Sequence, residues 1–529
     1  MLTTALYTPE QVRELDQIAI TEAGIPGLRL MERAGRRAFA VLRSNWPQAR
    51  RITIFCGGGN NAGDGYVVGR LAHEAGLEVE VIYLSDPQRL KGDAATQAQR
   101  FLDTSATCRP FDVHQLDSTD VIVDALLGTG LDRPVAGEYA AAVEAINGQK
   151  VPVLALDIPS GLHARTGSEL GCAVQAHATV TFVGLKSGLF TARGPALCGT
   201  LFFDDLGTAA VNANRLEPYA RLITQEDLNT ALTPRPRDAH KGDCGHVLII
   251  GGGPGMAGAA RLAGEAALRC GAGLVSVATR TEHISAIVGT RPELMVHGVE
   301  SANQIAALLE RCTTIVLGPG LGQDSWADEL WHAAMASPTP KVIDADGLNI
   351  LANQGVAADN AVLTPHPGEA ARLLGQSTAQ ISADRFAAAR ALALSTAAKG
   401  TGTSGTSKGA GTIATAIATA EDNGAAKGTG TVAAPKGTGT VAVLKGPGTI
   451  IDDGVNVALA NCGNPGMASG GMGDVLSGMI GAFIAQGLDL ATAARCAVLA
   501  HGTAADKAAA VRGERSLLAA DLLEEIKLD

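Results

Sequence analysis

At 475–484 the apolar residues Val475, Leu476, Met479, Ile480, Phe483 and Ile484 keep an i, i+1, i+4, i+5 spacing, which predicts a helix with one buried face. The run NPGMASGGMGDVLSG at 464–478 feeds it, rich in glycine and carrying one acid, Asp474. Residues 470–473 are expected to form a loop leading to the helix N-terminus. There the unpaired backbone N–H groups and the helix dipole favour an anion. Two uses of Asp474 stay open on these residues alone. It can take a proton from a hydroxyl while the amides hold a phosphate, or it can cap a core helix.

The earlier pattern repeats strand, glycine loop and helix. Thr8, Pro9 and Glu10 read as a capped helix start, with Val12, Leu15, Ile18 and Ala19 at helical spacing, and a second helix is predicted over 28–42. RITIFC at 51–56 is a short β-rich run followed by a predicted loop over 57–65, after which VVGRLAHEAG returns to helical spacing. This is the opening unit of a nucleotide-binding α/β fold, although the loop matches GxGxxG poorly. Two further runs, VIVDA at 121–125 and VLALD at 153–157, end in LLGTGLDRPV and IPSG. A parallel sheet places such ends on one edge, so Asn61, Asp124, Asp157 and Ser160 are expected to converge there. Oxygens gathered with few fixed positive partners suit a hard cation. Each acid taken singly also reads as a loop cap.

Strands continue over 180–203, then periodicity weakens and prolines gather at 218, 234 and 236, marking a linker or the start of a second domain. HVLIIGGG opens a second strand–glycine–helix unit, and TTIVLGPGLG, KVIDADGLN and AVLTPHPGE are further strands ending in ligand-like loops. His366 sits between two prolines on a stiff turn, so it either faces a ligand or caps that turn. The segment KGxGT recurs at Lys399, Lys408, Lys427, Lys436 and Lys445, separated by Ala, Thr, Ser, Gly and Val. Its apolar positions are too few to fill a β-solenoid, so the tract at about 396–443 reads as a duplicated loop motif extruded before the true strand. Lys445, followed by IIDDG, is the functional copy, with Lys436 as a rival register.

Totals narrow the classes. A chain of 529 residues implies two domains. With a net charge of −11 and only 3% aromatic residues it offers no basic stripe with stacking rings, so nucleic acid is not expected as a partner. Nine scattered cysteines without CxxC spacing read as reduced thiols. The N-terminal residues lack the basic and apolar regions of a signal peptide, and no plausible helix has an uncharged apolar run long enough to span a bilayer. A cytoplasmic protein with no membrane partner is expected, and so is a homo-oligomer.

The set CGGGNNAGDG, DALLGTGLDRPV and ALDIPSGLHARTG resembles the epimerase domain of the bifunctional NAD(P)H-hydrate repair enzymes. The set KGDCGHVLIIGG, GPGLG, TPHPGE, KGPGTIIDD and GNPGMASGGMGDVLSG is similar to their ribokinase-like dehydratase domain. The resemblance implies an α/β chain with a Rossmann-like three-layer epimerase domain at 1–215, a linker at 216–224 and a ribokinase-like dehydratase domain at 225–529. The activities it implies are interconversion of the R and S forms of hydrated NADH or NADPH, and dehydration of the S form at the expense of ADP, or ATP in other members. By matching positions, Asn60, Asn61, Ala62, Gly63, Asp64, Gly128, Thr129, Gly130, Leu131, Asp132, Arg133 and Pro134 hold the dinucleotide. Asn61, Asp124 and Ser160 bind potassium, and Asp157 is the epimerase acid/base. Ala259, Gly320, His366 and Asp474 contact the hydrate in the dehydratase. Lys445, Gly446, Pro447, Gly448, Thr449 and Gly473 bind the adenine nucleotide, with magnesium expected beside it. Asp474 is then the dehydratase base. The family usually has Gly where this chain has Ala62, a change expected to tighten the phosphate loop. A ribokinase-class small-molecule kinase and a Rossmann-like binding module without catalysis are the alternatives.

Overall fold

The computed structural model describes residues 3–114, 118–395 and 439–528. Residues 396–438 of the repeat tract lie outside the described residues, and with them the copies at Lys399, Lys408, Lys427 and Lys436; its last residues, expected to precede the true strand, already belong to the buried strand Thr440–Leu444. The chain divides into two compact units, Met1–Arg221 and Leu222–Asp529.

The first unit holds β1 (Ala5–Tyr7), β2 (Arg51–Cys56), β3 (Glu78–Tyr83), β4 (Thr107–Pro110), β5 (Val121–Ala125), β6 (Val153–Leu156), β7 (Ala178–Phe182), β8 (Leu185–Lys186), β9 (Thr200–Asp204) and β10 (Ala220–Leu222). Seven of these form a sheet in the order β4-β3-β2-β5-β6-β7-β9, every pair parallel. β2, β5, β6 and β7 are buried nearly end to end, the continuous apolar run that a strand covered on both faces requires. The helices Gly27–Asn45 and Asn60–Glu74 bury Ala34, Ala38, Tyr66 and Val68 in the core that also takes Ile54 and Val123. The opposite face of the sheet packs Phe55 and Ile122 with Val143 and Ile146 of the helix Gly137–Gly148. The chain runs outward from β2 to β3 and β4, then returns to β5 beside β2. The carboxyl ends of β2 and β5 are therefore the switch point at which an open α/β sheet forms a crevice. The helix predicted to begin after residue 65 begins at Asn60, so the expected loop over 57–65 is only Gly57, Gly58 and Gly59. The glycines beyond are there for close packing: a Cβ on Gly65 would meet Ala125 Cβ at 2.6 Å.

The second unit holds β11 (His246–Ile250), β12 (Leu274–Thr279), β13 (Met295–Gly298), β14 (Thr314–Leu317), β15 (Lys341–Ile343), β16 (Ala361–Leu363), β17 (Thr440–Leu444), β18 (Ile450–Asp452) and β19 (Val457–Leu459). They run in the order β13-β12-β11-β14-β15-β16-β17-β18-β19, parallel as far as β17 and antiparallel after it. One face carries the helices Ala257–Arg269, Met472–Ala485 and Leu490–Arg512, and the other carries Ser325–Ala336 and Asp346–Gln354. The helix Met472–Ala485 is buried on all sides rather than on the one face predicted, with every residue from Val475 to Ala485 inaccessible. Glycine is what lets it sit there. A Cβ on Gly478 would lie 2.0 Å from the Ala263 carbonyl oxygen, and one on Gly481 would lie 2.5 Å from Val316 Cγ2.

Candidate active sites

In the first unit the turns after β2, β5 and β6 enclose a cleft of about 740 Å³. Gly57 passes so close to β5 that a Cβ there would sit 1.8 Å from the Leu126 carbonyl oxygen, which brings the first turn against the second. The helix Asn60–Glu74 starts at Gly59 with no side-chain cap, leaving its first amides turned toward the switch point. Of the residues expected to hold a dinucleotide, Asn60, Asn61, Asp64, Gly128, Thr129, Gly130, Leu131, Asp132 and Arg133 line the cleft. Ala62 and Gly63 are buried in the helix, and Pro134 is exposed beyond the cleft lining. The Ala62 side chain joins the apolar core, so the alanine does not narrow a phosphate loop as expected.

Behind that wall Ser160 donates from Oγ to Asp124 Oδ1 at 2.6 Å and from its backbone N–H to Oδ2 at 2.8 Å. Asn61 donates through Nδ2 to the Leu127 carbonyl at 3.2 Å, while its Oδ1 is buried without a partner. An orphaned buried amide oxygen near a carboxylate, a hydroxyl and a carbonyl is a donor set that a weakly hydrated hard cation fits. Burial pushes the Asp124 carboxyl up to about 6, against the hydrogen bonds from Ser160 and Leu126. Among the described residues no group of three His, Cys, Asp or Glu side chains is arranged to hold a metal ion, so any such site is completed by amide, hydroxyl and carbonyl oxygens.

Asp157 follows β6 in the left-handed region, φ 65°, a conformation that costs a non-glycine residue and is kept only where the surroundings impose it. Its carboxylate contacts Lys186 Nζ and lies 3.3 Å from Thr181 Oγ1 and from the Phe182 amide. Lys186 is 1% exposed and also donates to Thr181 Oγ1 at 3.0 Å and the Phe182 carbonyl at 2.8 Å. Lys186 was not legible as a site residue in the sequence, where a lysine ending a short apolar strand in VGLKSG was the available signal.

In the second unit the turns after β11, β14, β15, β16 and β17 share one edge. Lys445, just past β17, reaches back to Asp344 Oδ1 at 2.8 Å and stands 3.9 Å from Glu369 Oε2. A Cβ on Gly473 would lie 3.1 Å from Lys445 Nζ, so the first turn of the helix Met472–Ala485 closes over the same lysine. The helix starts at Gly471, in the left-handed region at φ 91°, with no side-chain cap. Met472 and Gly473, expected in the loop, are its first two residues. Asp474 is the third and does not cap it.

Burial first, then the charges of Asp344 and Asp346, raise the Asp474 carboxyl to about 7, with Lys445 opposing. His366 accepts at Nδ1 from the amides of Gly368 at 3.0 Å and Glu369 at 3.4 Å, capping the helix Pro367–Leu374 and leaving Nε2 on a half-exposed ring. Ala259 and Gly320 adjoin, since a Cβ on Gly320 would fall 3.1 Å from Ala259 Cβ. Buried Arg385 donates to the carbonyls of Leu444 at 3.2 Å, Lys445 at 3.3 Å and Gly448 at 3.3 Å, tying down the loop of Lys445, Gly446, Pro447, Gly448 and Thr449 from beneath. Arg385, Asp344 and Asp346 were missed from the sequence, where they sit in ordinary helical and strand-end settings.

A family model described as YjeF-related protein N-terminus matches residues 27–188, and one described as NAD(P)H-hydrate dehydratase matches 247–430 and 417–528. The bifunctional NAD(P)H-hydrate repair enzyme of Coxiella burnetii is 44% identical over 529 residues, covering 99% of each chain. The chain belongs to the bifunctional NAD(P)H-hydrate repair enzymes. The Escherichia coli member is 40% identical over 526 residues, covering 99% of this chain and 93% of its own. A crystallised ADP/ATP-dependent NAD(P)H-hydrate dehydratase from Bacillus subtilis, solved with ATP and Mg2+, is 26% identical and covers 58% of this chain at a TM-score of 0.46. As a bifunctional repair enzyme the chain is both an NAD(P)H-hydrate epimerase and a dehydratase, which removes the kinase and the inert binding module as readings. The two dehydratase matches overlap at 417–430, inside the KGxGT repeat. Among the described residues no helix is long and apolar enough to cross a membrane.

Proposed function

We propose that residues 1–215 carry the epimerase and 225–529 the dehydratase, joined through 216–224, and that each works at the sheet edge described above. In the first, Asn60, Asn61, Asp64 and Gly128 to Arg133 face the hydrated dinucleotide, with Ala62 and Gly63 buried behind them in the helix. Asn61, Asp124 and Ser160 would hold potassium, which would supply a fixed positive charge behind the cleft wall. Asp157, steered by Lys186, exchanges protons with the hydroxyl or water oxygen at the hemiaminal carbon, where the ring nitrogen's lone pair supplies the push.

In the second, the uncapped first turn of the helix Met472–Ala485, Gly473 and the loop of Lys445, Gly446, Pro447, Gly448 and Thr449 receive the phosphates of ADP or ATP. Ala259, Gly320, His366 and Asp474 face the S hydrate. Asp346, within electrostatic reach of Asp474, would be one residue to hold magnesium, which would neutralise phosphate charge. Asp474 takes the proton of the hydroxyl that is to leave. The observation that carries this reading is the placement of Asp474: on an uncapped helix start, raised to about 7 and near Lys445 without a direct ion pair to it. A proton acceptor poised near neutral pH at an anion-binding helix start suits activation of a hydroxyl toward a phosphate. The enzyme acts in the cytoplasm as a homo-oligomer.

The test is to supply mixed R and S hydrates with ADP or ATP and to follow the return of NADH absorbance. Full recovery is expected from the intact chain. In Asp157→Asn the S form is expected to recover normally and the R form only at its spontaneous rate. Loss of both forms in Asp157→Asn, or of neither, overturns the assignment.

A further inference from the structure

The first cleft holds more acid than the epimerase reading uses. Asp16 lines it from the helix Pro9–Thr21, an element outside the stretch that matches the family model. That helix is fixed in place by a capping box at Thr8 and by buried Val12, Leu15 and Ala19. It packs over the turn that leads to Lys186: a Cβ on Gly184 would meet Val12 Cγ2 at 3.4 Å and Leu15 Cδ1 at 3.5 Å. Asp16, next along the helix, is thereby brought within electrostatic reach of both Lys186 and Asp157. Among the described residues the Asp16 side chain forms no hydrogen bond or ion pair. Lys186, by contrast, contacts Asp157 directly. The cleft thus offers one carboxyl, Asp157, that is committed to a lysine, and others that are not, of which Asp16 comes from a separate element and lies within electrostatic reach of both.

Epimerisation by loss and return of water needs such a pair. The hydroxyl leaves from one face of the ring and water adds on the other, so a proton is given on one face and taken on the other. We propose that Asp16 is the second acid/base group of the epimerase, exchanging protons with the hydroxyl on the ring face turned away from Asp157. This rests on the reading that the first cleft carries the epimerase.

In one direction the Asp16 carboxyl protonates the leaving hydroxyl. The ring nitrogen's lone pair forms a C=N bond as the C–O bond breaks, and one water departs. A second water adds to that carbon from the opposite face and gives its proton to the Asp157 carboxylate. One water leaves and one enters, no electrons are lost or gained, and the proton moved from Asp16 to Asp157 returns through solvent or in the reverse reaction. The environment suits the task. Burial, with the Asp157 charge adding, pushes the Asp16 carboxyl up to about 6, while Lys186 pulls it down. Arg13, Asp64, Asp93, Asp132 and Arg133 are the other acidic and basic residues lining the cleft, and burial, with Asp157 and Asp16 adding, pushes the Asp64 carboxyl well up. Roughly a tenth of Asp16 is protonated at pH 7, enough for an acid working near its own pKa.

The experiment follows interconversion of R and S hydrates by the full chain, without adenine nucleotide, in water enriched in oxygen-18. Wild type is expected to place one solvent oxygen in each epimerised molecule, with kcat/KM falling as pH rises above about 6. Asp16→Asn is expected to lose roughly a hundredfold in rate and to lose that alkaline fall, with a melting temperature at pH 7 no lower than wild type. Asp16→Glu is expected to regain part of the rate with the fall displaced. If Asp16→Asn epimerises at the wild-type rate with its pH profile intact, or if the hydroxyl oxygen is retained, Asp16 has no such role although the epimerase reading stands. If wild type itself does not exceed the spontaneous rate, the reading of the cleft falls, and the proposal with it.

Discussion

Replacing Asp474 by Asn is expected to move catalysis and stability in opposite directions. The carboxyl is raised from its ordinary value near 3.8 to about 7, chiefly by burial and then by Asp344 and Asp346, with Lys445 opposing. A raised carboxyl means that the folded state holds its proton more tightly than the unfolded chain. Its contribution to stability is therefore complete below the unfolded value near 4 and is lost as pH rises through about 7. A shift of roughly 3 units at 1.36 kcal/mol each sets a ceiling of about 4 kcal/mol on that loss. Residual solvent contact and coupling to Lys445 hold the true figure below it. Asn has nearly the same shape and no charge, so Asp474→Asn is expected to match wild type in thermal melts at pH 4 and to exceed it at pH 8. Turnover of the S hydrate with ADP, read as NADH absorbance, is expected to fall by about 10²–10⁴, the usual contribution of a placed general base. Retained turnover refutes the base assignment. A variant no more stable than wild type at pH 8 refutes the account of the site's electrostatics, even if activity is lost.

Lys445→Met removes the partner of Asp344, a carboxylate only 1% exposed, and is expected to cost about 3–5 kcal/mol in denaturant unfolding of the second unit, together with loss of ADP binding by calorimetry. Gly478→Ala forces a methyl group against the Ala263 carbonyl at 2.0 Å, and a destabilisation of about 1–3 kcal/mol is expected, read as a lowered denaturant midpoint. Exchanging potassium for choline in the buffer is expected to slow R-to-S interconversion without changing turnover of the S form, and Asn61→Ala to remove the potassium dependence.

The strands were legible because parallel strands covered on both faces read as unbroken apolar runs; RITIFC and VIVDA coincide with β2 and β5 residue for residue. The start of the helix at Asn60 was not, because glycine signals both a loop and a close helix–sheet contact. Gly65 and Gly69 serve the second purpose, the latter placed so that a Cβ would meet the Phe101 ring at 3.0 Å. Site residues were legible where a motif displays them at a strand end. The groups that tune them were not: Lys445 and Asp344 lie 101 positions apart, and Lys186 and Asp157 lie 29 apart. No periodicity in one segment encodes a partner in another. His366 shows the third case: of its two readings the helix cap is visible at Nδ1, while Nε2 stands 3.5 Å from Glu369 Oε1.

The two units set a carboxylate near a lysine at the carboxyl edge of a parallel sheet, yet the pairs are wired differently. Lys186 touches Asp157 itself, whereas Lys445 is committed to Asp344 and leaves Asp474 only a through-space field. A carboxylate in direct contact with a buried ammonium keeps a fixed position and a shared proton network, which suits a group that must pass protons both ways between two interconverting forms. One left to burial and two like charges takes up a proton near neutrality and does so reversibly, which suits a base that must be discharged once per irreversible turnover. Moving the contact should therefore move the chemistry. Asp344→Asn removes one of the two like charges that hold Asp474 up and also frees Lys445 to approach it, and both effects are expected to shift the acidic limb of the dehydratase pH profile downward from about 7. An unshifted limb means that neither the Asp344 charge nor the freed lysine governs the Asp474 proton, and it refutes the electrostatic account of this site.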